Sequence, residues 1–284
     1  MPYEAQNLGR RFGPLRWDVT PARALAFAAV LDPDDSGALD DAKAAGLEAA
    51  PTLIASPEWA LSQISRRAIA RLSPDEIVRG VHAIQDSAFL APLRLGDRLV
   101  CASEVVGVRE IRSGVAVTSA IIHRRATDDL VVARTRSISI FRGATLSGRP
   151  HPAPEFEGPD LLDERVSASW PKGETQIRIA RGFPHLYSAA AEIWNPIHTE
   201  RRAALAAGFE DIIVHGSALW AMIAKRLTPP NGGLTRLAAR FRAPVVPGLS
   251  LALRWTTNGE QIRFRLSRPD GVVAVTGGAE LRSH

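Results

Sequence analysis

Residues capable of proton transfer are concentrated in one short segment of this chain. Tyr187 is followed eight residues later by Asn195, which opens the sequence Asn-Pro-Ile-His that ends at His198. Gly208-Phe209 and His215-Gly216 come next. Because the pKa of an imidazole lies near neutrality, a histidine can take a proton from water and return it to another atom. His198 is therefore the candidate acid–base residue.

The elements around this segment are predicted to be helical. Helix formers run from Thr199 to Ala207 and stop at Gly208, a typical helix terminator. A second helix is predicted to begin near His215-Gly216-Ser217 and to end before a turn at 228–233. Its apolar residues lie three and four positions apart and form one buried stripe, made of Ala218, Leu219, Met222, Ile223 and Leu227.

Short apolar runs separated by turn residues occur in each half and predict antiparallel strands. In the second half these runs are 237–241, 249–256, 261–266 and 271–279. In the first half they are 83–89, 97–110, 115–124 and 130–141. A long helix backed by an antiparallel sheet, occurring twice, is an α+β architecture.

An internal repeat relates the two halves. Phe89–Leu99 matches Phe241–Leu251 at five of eleven positions with an offset of 152, and Val131–Thr135 matches Val272–Thr276 with an offset of 141. Upstream, 31–33 with Ala45-Gly46-Leu47 matches 194–196 with Ala207-Gly208-Phe209. We therefore predict two diverged copies. The first unit is expected at 1–145, a linker containing Gly and Pro at 146–165, and the second unit at 166–284.

Composition limits the class of protein. Hydrophobic residues make up 45% and charged residues 23% of the 284 residues, which favours a soluble globular chain over disorder or a membrane span. The single Cys101 excludes an intramolecular disulfide and no signal peptide is expected, so the cytosol is the expected compartment. The net charge of +5 comes from scattered arginines. No motif suggests a nucleic acid, a membrane partner or a metal.

The segment from Tyr187 to Gly216 resembles the MaoC-like family of (R)-specific enoyl-CoA hydratases and 3-hydroxyacyl dehydratases. That family's motif places a tyrosine, Asn-Pro-Ile-His, Gly-Phe and His-Gly at the spacing found here. The resemblance implies a double hot-dog fold, in which each unit wraps an antiparallel sheet around a long helix. It also implies an enoyl or 3-hydroxyacyl thioester of coenzyme A or acyl carrier protein as the substrate, with no further cofactor. A homodimer is one expected assembly, although the two halves can supply such a pair internally.

The resemblance also implies roles for individual residues. His198 is the expected catalytic residue, and the expected substrate-binding residues are Tyr187, Trp194, Asn195, His215, Gly216 and Ser217. Backbone N–H groups that open the central helix would stabilise negative charge on the thioester oxygen, and Gly216 would let that oxygen approach. The structural alternatives are a turn cap for Asn195, a backbone hydrogen bond for His215, and packing for the two aromatic residues.

The first copy carries Leu31-Asp-Pro-Asp34-Asp35 where the second carries its histidine motif. It therefore has no imidazole to offer at that place. By the same resemblance, this half is expected to shape the acyl pocket, with Trp59 in the pocket wall or in the core.

One position departs from the family pattern. The family has an aspartate two residues before the asparagine, where it pairs with the histidine to activate water, but this chain has Ile193 there. Glu192 is adjacent, yet neighbouring side chains of a helix or strand point in different directions. Two alternatives to a hydratase or dehydratase therefore stay open, namely a non-catalytic acyl-thioester binding protein and a hot-dog thioesterase.

Overall fold

One large antiparallel sheet dominates the structure. The computed structural model describes residues 2–42, 48–68, 80–155, 158–165, 171–229 and 233–282. The strands in these ranges are β1 (Tyr3–Glu4), β2 (Arg11–Asp18), β3 (Gly80–Phe89), β4 (Arg98–Ile111), β5 (Gly114–Arg125), β6 (Val131–Arg142), β7 (Leu146–Ser147), β8 (Lys172–Arg178), β9 (Gly233–Phe241), β10 (Ser250–Asn258), β11 (Gln261–Ser267) and β12 (Val273–Arg282). The helices are α1 (Pro21–Leu31), α2 (Ala55–Ala68), α3 (Phe183–Ala191), α4 (Pro196–Thr199), α5 (Arg201–Ala206) and α6 (Gly216–Leu227). The fold is α+β, as predicted.

The main sheet contains five strands from each half of the chain. Its order is β2-β4-β5-β6-β3-β9-β12-β11-β10-β8. β3 and β9 pair antiparallel at the centre, with Asp86 opposite Ala238. These two residues are 152 positions apart, which is the offset of the sequence repeat. A pseudo-two-fold axis therefore relates the halves at this pair, and the two units join edge to edge.

Backbone geometry confirms the internal repeat. Gly96 and Gly248 precede β4 and β10 and both have a positive φ, of 88° and 98°, which favours glycine. The N–H of Gly96 donates to the carbonyl of Val19, and the N–H of Gly248 donates to the carbonyl of Ile179, both at 2.8 Å. Equivalent glycines thus make equivalent turns in the two halves.

The predicted strands are present, with ends that differ by a few residues. The helix predicted over 199–207 is present as α5 (Arg201–Ala206), and it begins two residues late because Glu200 has an extended backbone (φ −123°, ψ 106°) that separates α4 from α5. The structure adds β2, α1, β8 and α3, which the sequence analysis did not predict. Ala45-Gly46-Leu47 and residues 230–232 of the predicted turn lie outside the described residues. The unit boundaries at 145 and 166 stay predictions.

α6 is buried on every side. The predicted apolar stripe is buried, but so are Trp220 and Ala221 outside it, both with no exposed surface. The reason is that α6 contacts β9 and β12 as well as α1 and the short 3-10 turn at Pro51–Ile54. A helix that is apolar all round is buried on all sides, so α6 is a central core element whose first residue reaches the site described below.

In the described part of the chain, no helix has the length and apolar character that crossing a bilayer requires.

Candidate active site

A cavity of about 560 Å³ is lined by residues from both halves of the chain. Its volume suits a small organic ligand. Five of the seven predicted site residues line it, namely Asn195, His198, His215, Gly216 and Ser217. Tyr187 and Trp194 do not appear in its wall.

His198 is held in one orientation by the backbone. It lies on α4, where its N–H donates to the carbonyl of Asn195 at 3.0 Å. Its Nδ1 lies 2.7 Å from the carbonyl oxygen of Ile213. Since a carbonyl oxygen only accepts, Nδ1 must carry the hydrogen, and the neutral ring keeps its lone pair on Nε2. The geometry therefore prepares Nε2 to accept a proton.

Burial lowers the pKa of His198 to about 4, and the hydrogen bond to Ile213 offsets only part of that effect. The imidazole is therefore neutral at physiological pH. This is the protonation state that a general base requires.

His215 stacks against His198, with ring centroids 3.8 Å apart. Its Nε2 lies 3.0 Å from Oγ of Ser188 and 3.3 Å from the carbonyl oxygen of Ile193. The second contact is the backbone hydrogen bond that the structural alternative for His215 predicts. Burial, with a smaller effect of charge on His198, lowers the pKa of His215 well below its usual value. Both rings are therefore neutral together.

The N-terminus of α6 presents backbone donors to the cavity. The N–H groups of Ala218 and Leu219 both donate to the carbonyl of His215, at 3.1 Å. The N–H groups of Gly216 and Ser217 have no intrahelical acceptor, as expected for a first turn. Gly216 is also constrained by packing, because an added Cβ would lie 3.2 Å from the ring of Phe241. This turn can therefore accept a negatively charged oxygen.

Asn195 lines the cavity and is half-buried. It occupies the N-cap position of α4, but its side chain makes no capping hydrogen bond. The structural alternative of a turn cap therefore does not describe this residue, and its amide is available to a ligand.

The two predicted aromatic residues have different surroundings. Tyr187 is fully buried and packs against Phe27, Phe183 and His215, with ring centroids 5.8, 6.0 and 4.9 Å away. Burial raises its pKa, and the neighbouring Ser217 opposes that rise. Trp194 is 59% exposed. Tyr187 therefore supports His215 from behind, while Trp194 lies on the surface.

The position of the family's aspartate is apolar in three dimensions as well as in sequence. Ile193 is buried and lines the cavity. Glu192 ends α3 with a left-handed backbone (φ 56°), and its carboxylate forms an ion pair with Arg23 at 2.6 Å. Within the described ranges, no carboxylate oxygen lies within 4.0 Å of a nitrogen of His198. Glu192 therefore does not replace the missing carboxylate.

Glu58 is the single carboxylate among the described residues that line the cavity. It lies on α2 of the first half and is 7% exposed. The sequence analysis missed it, because a lone glutamate in a helix is usually solvated. The available signal was its neighbourhood in the sequence, since Ala55, Trp59 and Leu61 form an apolar face beside it.

The first half carries different residues at the positions equivalent to the His215-Gly216 turn of the second half. The N–H of Ala49 donates to the carbonyl of Leu93, and the N–H of Val214 donates to the carbonyl of Val245 in the same way. Ala50-Pro51 therefore stands where the second half has His215-Gly216. Proline has no N–H to offer a ligand. The acidic residues of the degenerate motif instead form ion pairs with the end of α6: Asp32 with Arg226 at 3.1 Å, and Asp35 with Lys225.

Comparisons with known proteins find relatives of this chain. Residues 171–278 match the family described as MaoC like domain. The chain is 29% identical over 217 residues to the 3-hydroxyacyl-thioester dehydratase Y of Mycobacterium tuberculosis, covering 71% of this chain and 69% of that protein.

Solved structures share the fold. A MaoC-like dehydratase from Phytophthora capsici has a TM-score of 0.78 and 17% identity, covering 98% of this chain and 96% of that one. A Mycobacterium tuberculosis protein described as having a double hotdog fold has a TM-score of 0.62 and 17% identity, covering 97% and 96%. The chain therefore adopts a double hot-dog fold and carries a MaoC-like domain at residues 171–278.

Proposed function

We propose that this protein interconverts 2-enoyl and 3-hydroxyacyl thioesters of coenzyme A or acyl carrier protein, with His198 as the acid–base residue. One observation carries the proposal: a neutral imidazole with its lone pair on Nε2 lines the same cavity as Gly216 and Ser217, whose N–H groups open α6 and have no intrahelical acceptor. The membership of residues 171–278 in a family of dehydratases supports it.

In this proposal a single imidazole carries out both proton transfers of the hydration. Nε2 of His198 takes a proton from water as the water oxygen bonds to C3 of the enoyl group. The electron pair of the double bond moves toward the thioester oxygen, which receives hydrogen bonds from the N–H groups of Gly216 and Ser217. The imidazolium then returns its proton to C2, and the reverse sequence is the dehydration. Asn195, which lines the same cavity, would orient the water or the hydroxyl.

Hydration of crotonyl-CoA tests the proposal directly. We expect loss of the enoyl absorbance with formation of 3-hydroxybutyryl-CoA, and no release of free thiol. Release of free thiol would instead indicate the thioesterase. Binding without turnover across short, long and branched enoyl-CoAs would indicate the non-catalytic binding protein, which the apolar Ile193 beside His198 favours as the second candidate.

The rate of hydration is expected to fall only at an unusually acidic pH. Burial lowers the pKa of His198 to about 4, and the neutral imidazole is the active base. The value of kcat/KM should therefore stay level from neutral pH to about pH 5, then fall about tenfold per unit below pH 4. Initial rates measured between pH 3 and 8 check this.

A circular dichroism spectrum at each pH is the control, because it separates a catalytic titration from unfolding. An acid limb near pH 6.5, the ordinary value for histidine, would contradict the assignment of a buried neutral His198 as the base.

A further inference from the structure

The first-half end of the cavity carries a group of polar side chains among apolar ones. β3, β5 and β6 contribute His82, Gln85, Ser119 and Ser137, and α2 contributes Glu58. We call these five residues the polar compartment. Ligand cavities are usually lined by apolar side chains with only a few polar groups, so this density of polar groups calls for a ligand that matches it.

The serines and Gln85 form a row across the sheet. Ser119 on β5 lies directly opposite Ser137 on β6, and Ser137 lies directly opposite Gln85 on β3. Residues that face each other across an antiparallel pair lie on the same side of the sheet, so these three side chains all point toward the cavity that they line. Nε2 of His82 lies 3.2 Å from Oγ of Ser137 and extends the row.

Glu58 sits over this row and is held by two donors. Its Oε2 accepts from Nε2 of Gln85 at 2.7 Å, and its Oε1 lies 3.0 Å from Nε2 of His123. His123 is fully buried, and its Nδ1 lies 3.2 Å from Sγ of Cys101. Burial opposes a charge on His123, but the hydrogen bonds to Cys101 and Glu58 raise its pKa to about 10. A buried imidazolium therefore balances the carboxylate.

This arrangement leaves acceptors for a ligand. A carboxylate oxygen can accept two hydrogen bonds, and each oxygen of Glu58 receives one from the protein contacts above. An alkyl chain placed here would remove water from Glu58 and from the serine hydroxyls without replacing its hydrogen bonds. Each buried polar group left unpaired would therefore weaken binding of an alkyl chain.

Charge orients the substrate in the cavity. Three arginines line it, namely Arg66, Arg142 and Arg242. Arg142 and Arg242 are exposed and form a basic rim suited to the phosphates of an acyl carrier, although Arg242 also pairs with Glu164. Glu58 lies at the buried end, where a phosphate would lose its water. The polar compartment therefore faces the acyl chain, with the carrier at the rim.

We infer that the polar compartment binds a hydroxyl group on the acyl chain, so that the preferred substrates are hydroxylated 2-enoyl thioesters and not fatty acyl chains. This inference rests on the proposed function. The group that binds here must be a hydrogen-bond donor, as a hydroxyl is, because Glu58 can only accept while it is ionised.

Matched substrates test the inference. 2-Octenoyl-CoA is compared with its derivatives that carry one hydroxyl at C5, C6, C7 or C8. We expect kcat/KM for at least one hydroxylated substrate to exceed that of 2-octenoyl-CoA by about 100-fold, because sites that hydrogen-bond a hydroxyl discriminate strongly against its absence. Equal or higher kcat/KM for the alkyl chain than for all four derivatives would overturn the inference.

Variants link the preference to the compartment. Glu58→Gln keeps the volume of the side chain and should reduce the hydroxyl-to-alkyl ratio of kcat/KM about tenfold or more. If this variant does not fold, because the charge of His123 loses its partner, Ser119→Ala provides the same readout. Ser250→Ala, an exposed serine on β10, is the matched control and should leave the ratio unchanged. A ratio unchanged in both compartment variants would overturn the assignment.

Binding separates this inference from the proposed function. Calorimetry with His198→Gln protein measures affinity for the same thioesters without requiring turnover. A Kd for a hydroxylated octenoyl-CoA about tenfold or more below that of 2-octenoyl-CoA would support the compartment even if no thioester were hydrated. Equal affinities, or no binding of either, would overturn it. Absence of hydration with crotonyl-CoA would count against the proposed function alone.

Discussion

The variant His198→Gln is expected to hydrate crotonyl-CoA with kcat/KM lower by a factor of about 10² to 10⁴, the usual contribution of a general acid–base residue. Glutamine keeps a donor near the carbonyl of Ile213, so the local fold of α4 should survive. It has no lone pair on nitrogen for the proton of water. Both the addition of water to C3 and the return of the proton to C2 are therefore slowed.

A second histidine on the same side of the domain provides the control. Nε2 of His185 lies 3.0 Å from the carbonyl oxygen of Thr199, and its side chain is exposed. His185→Gln should retain nearly the wild-type kcat/KM. Equal losses in both variants, or wild-type activity in His198→Gln with an unchanged circular dichroism spectrum, would remove His198 from the mechanism.

The sequence predicts this site well where its parts are local. The spacing from Asn195 to His198 is short, and α6 begins at Gly216, two residues before its apolar stripe begins at Ala218. The repeat offset of 152 even anticipates the central strand pair, since Asp86 and Ala238 are related by it. Such features depend on neighbours in the chain or on the pairing of two similar units.

Features that depend on distant contacts could not be predicted. Glu58 meets His123, which is 65 positions away, only after α2 has packed on the first-half sheet. The exposure of Trp194 follows from the turn after α3, where Glu192 adopts a left-handed backbone. No local pattern encodes either result.

Strand β2 was not predicted, because it contains residues that are typical of turns. β2 contains Gly13-Pro14, which usually marks a turn and not a strand. β2 lies at the edge of the sheet, where it pairs with β4 alone and shifts register between Phe12 and Leu15. Proline is tolerated at such an edge because no second neighbour needs its N–H.

The centre of the sheet contains a buried ion pair whose disruption should strongly lower the stability of the protein. Asp86 on β3 accepts from both Nε and Nη2 of Arg236 on β9, each at 2.9 Å, and the two side chains are 1% and 6% exposed. Nη1 of Arg236 also donates to the carbonyl of Pro159 at 2.9 Å. The pair therefore ties the first half, the second half and the connection between them.

Asp86→Asn is expected to lower the free energy of unfolding by about 3–5 kcal/mol, because it removes the buried carboxylate charge that faces the guanidinium of Arg236 at 2.9 Å and that of Arg136 at 3.9 Å. Urea titration followed by circular dichroism measures this change. Glu174→Gln is the matched control, since Glu174 forms a similar two-contact pair with Arg254 across β8 and β10 but with both side chains exposed. Its expected cost is below about 1 kcal/mol.

The double variant Asp86→Leu with Arg236→Met separates charge from packing. If the cost of Asp86→Asn comes from an uncompensated charge, removing both charges should recover much of the lost stability. A double variant less stable than Asp86→Asn would show that the pair acts through shape. The pair lies where the two halves join. If the two hot-dog units unfold together, the urea concentration at the midpoint should shift while the slope of the free energy of unfolding against urea stays unchanged. A second unfolding transition would show that β3 and β9 separate first.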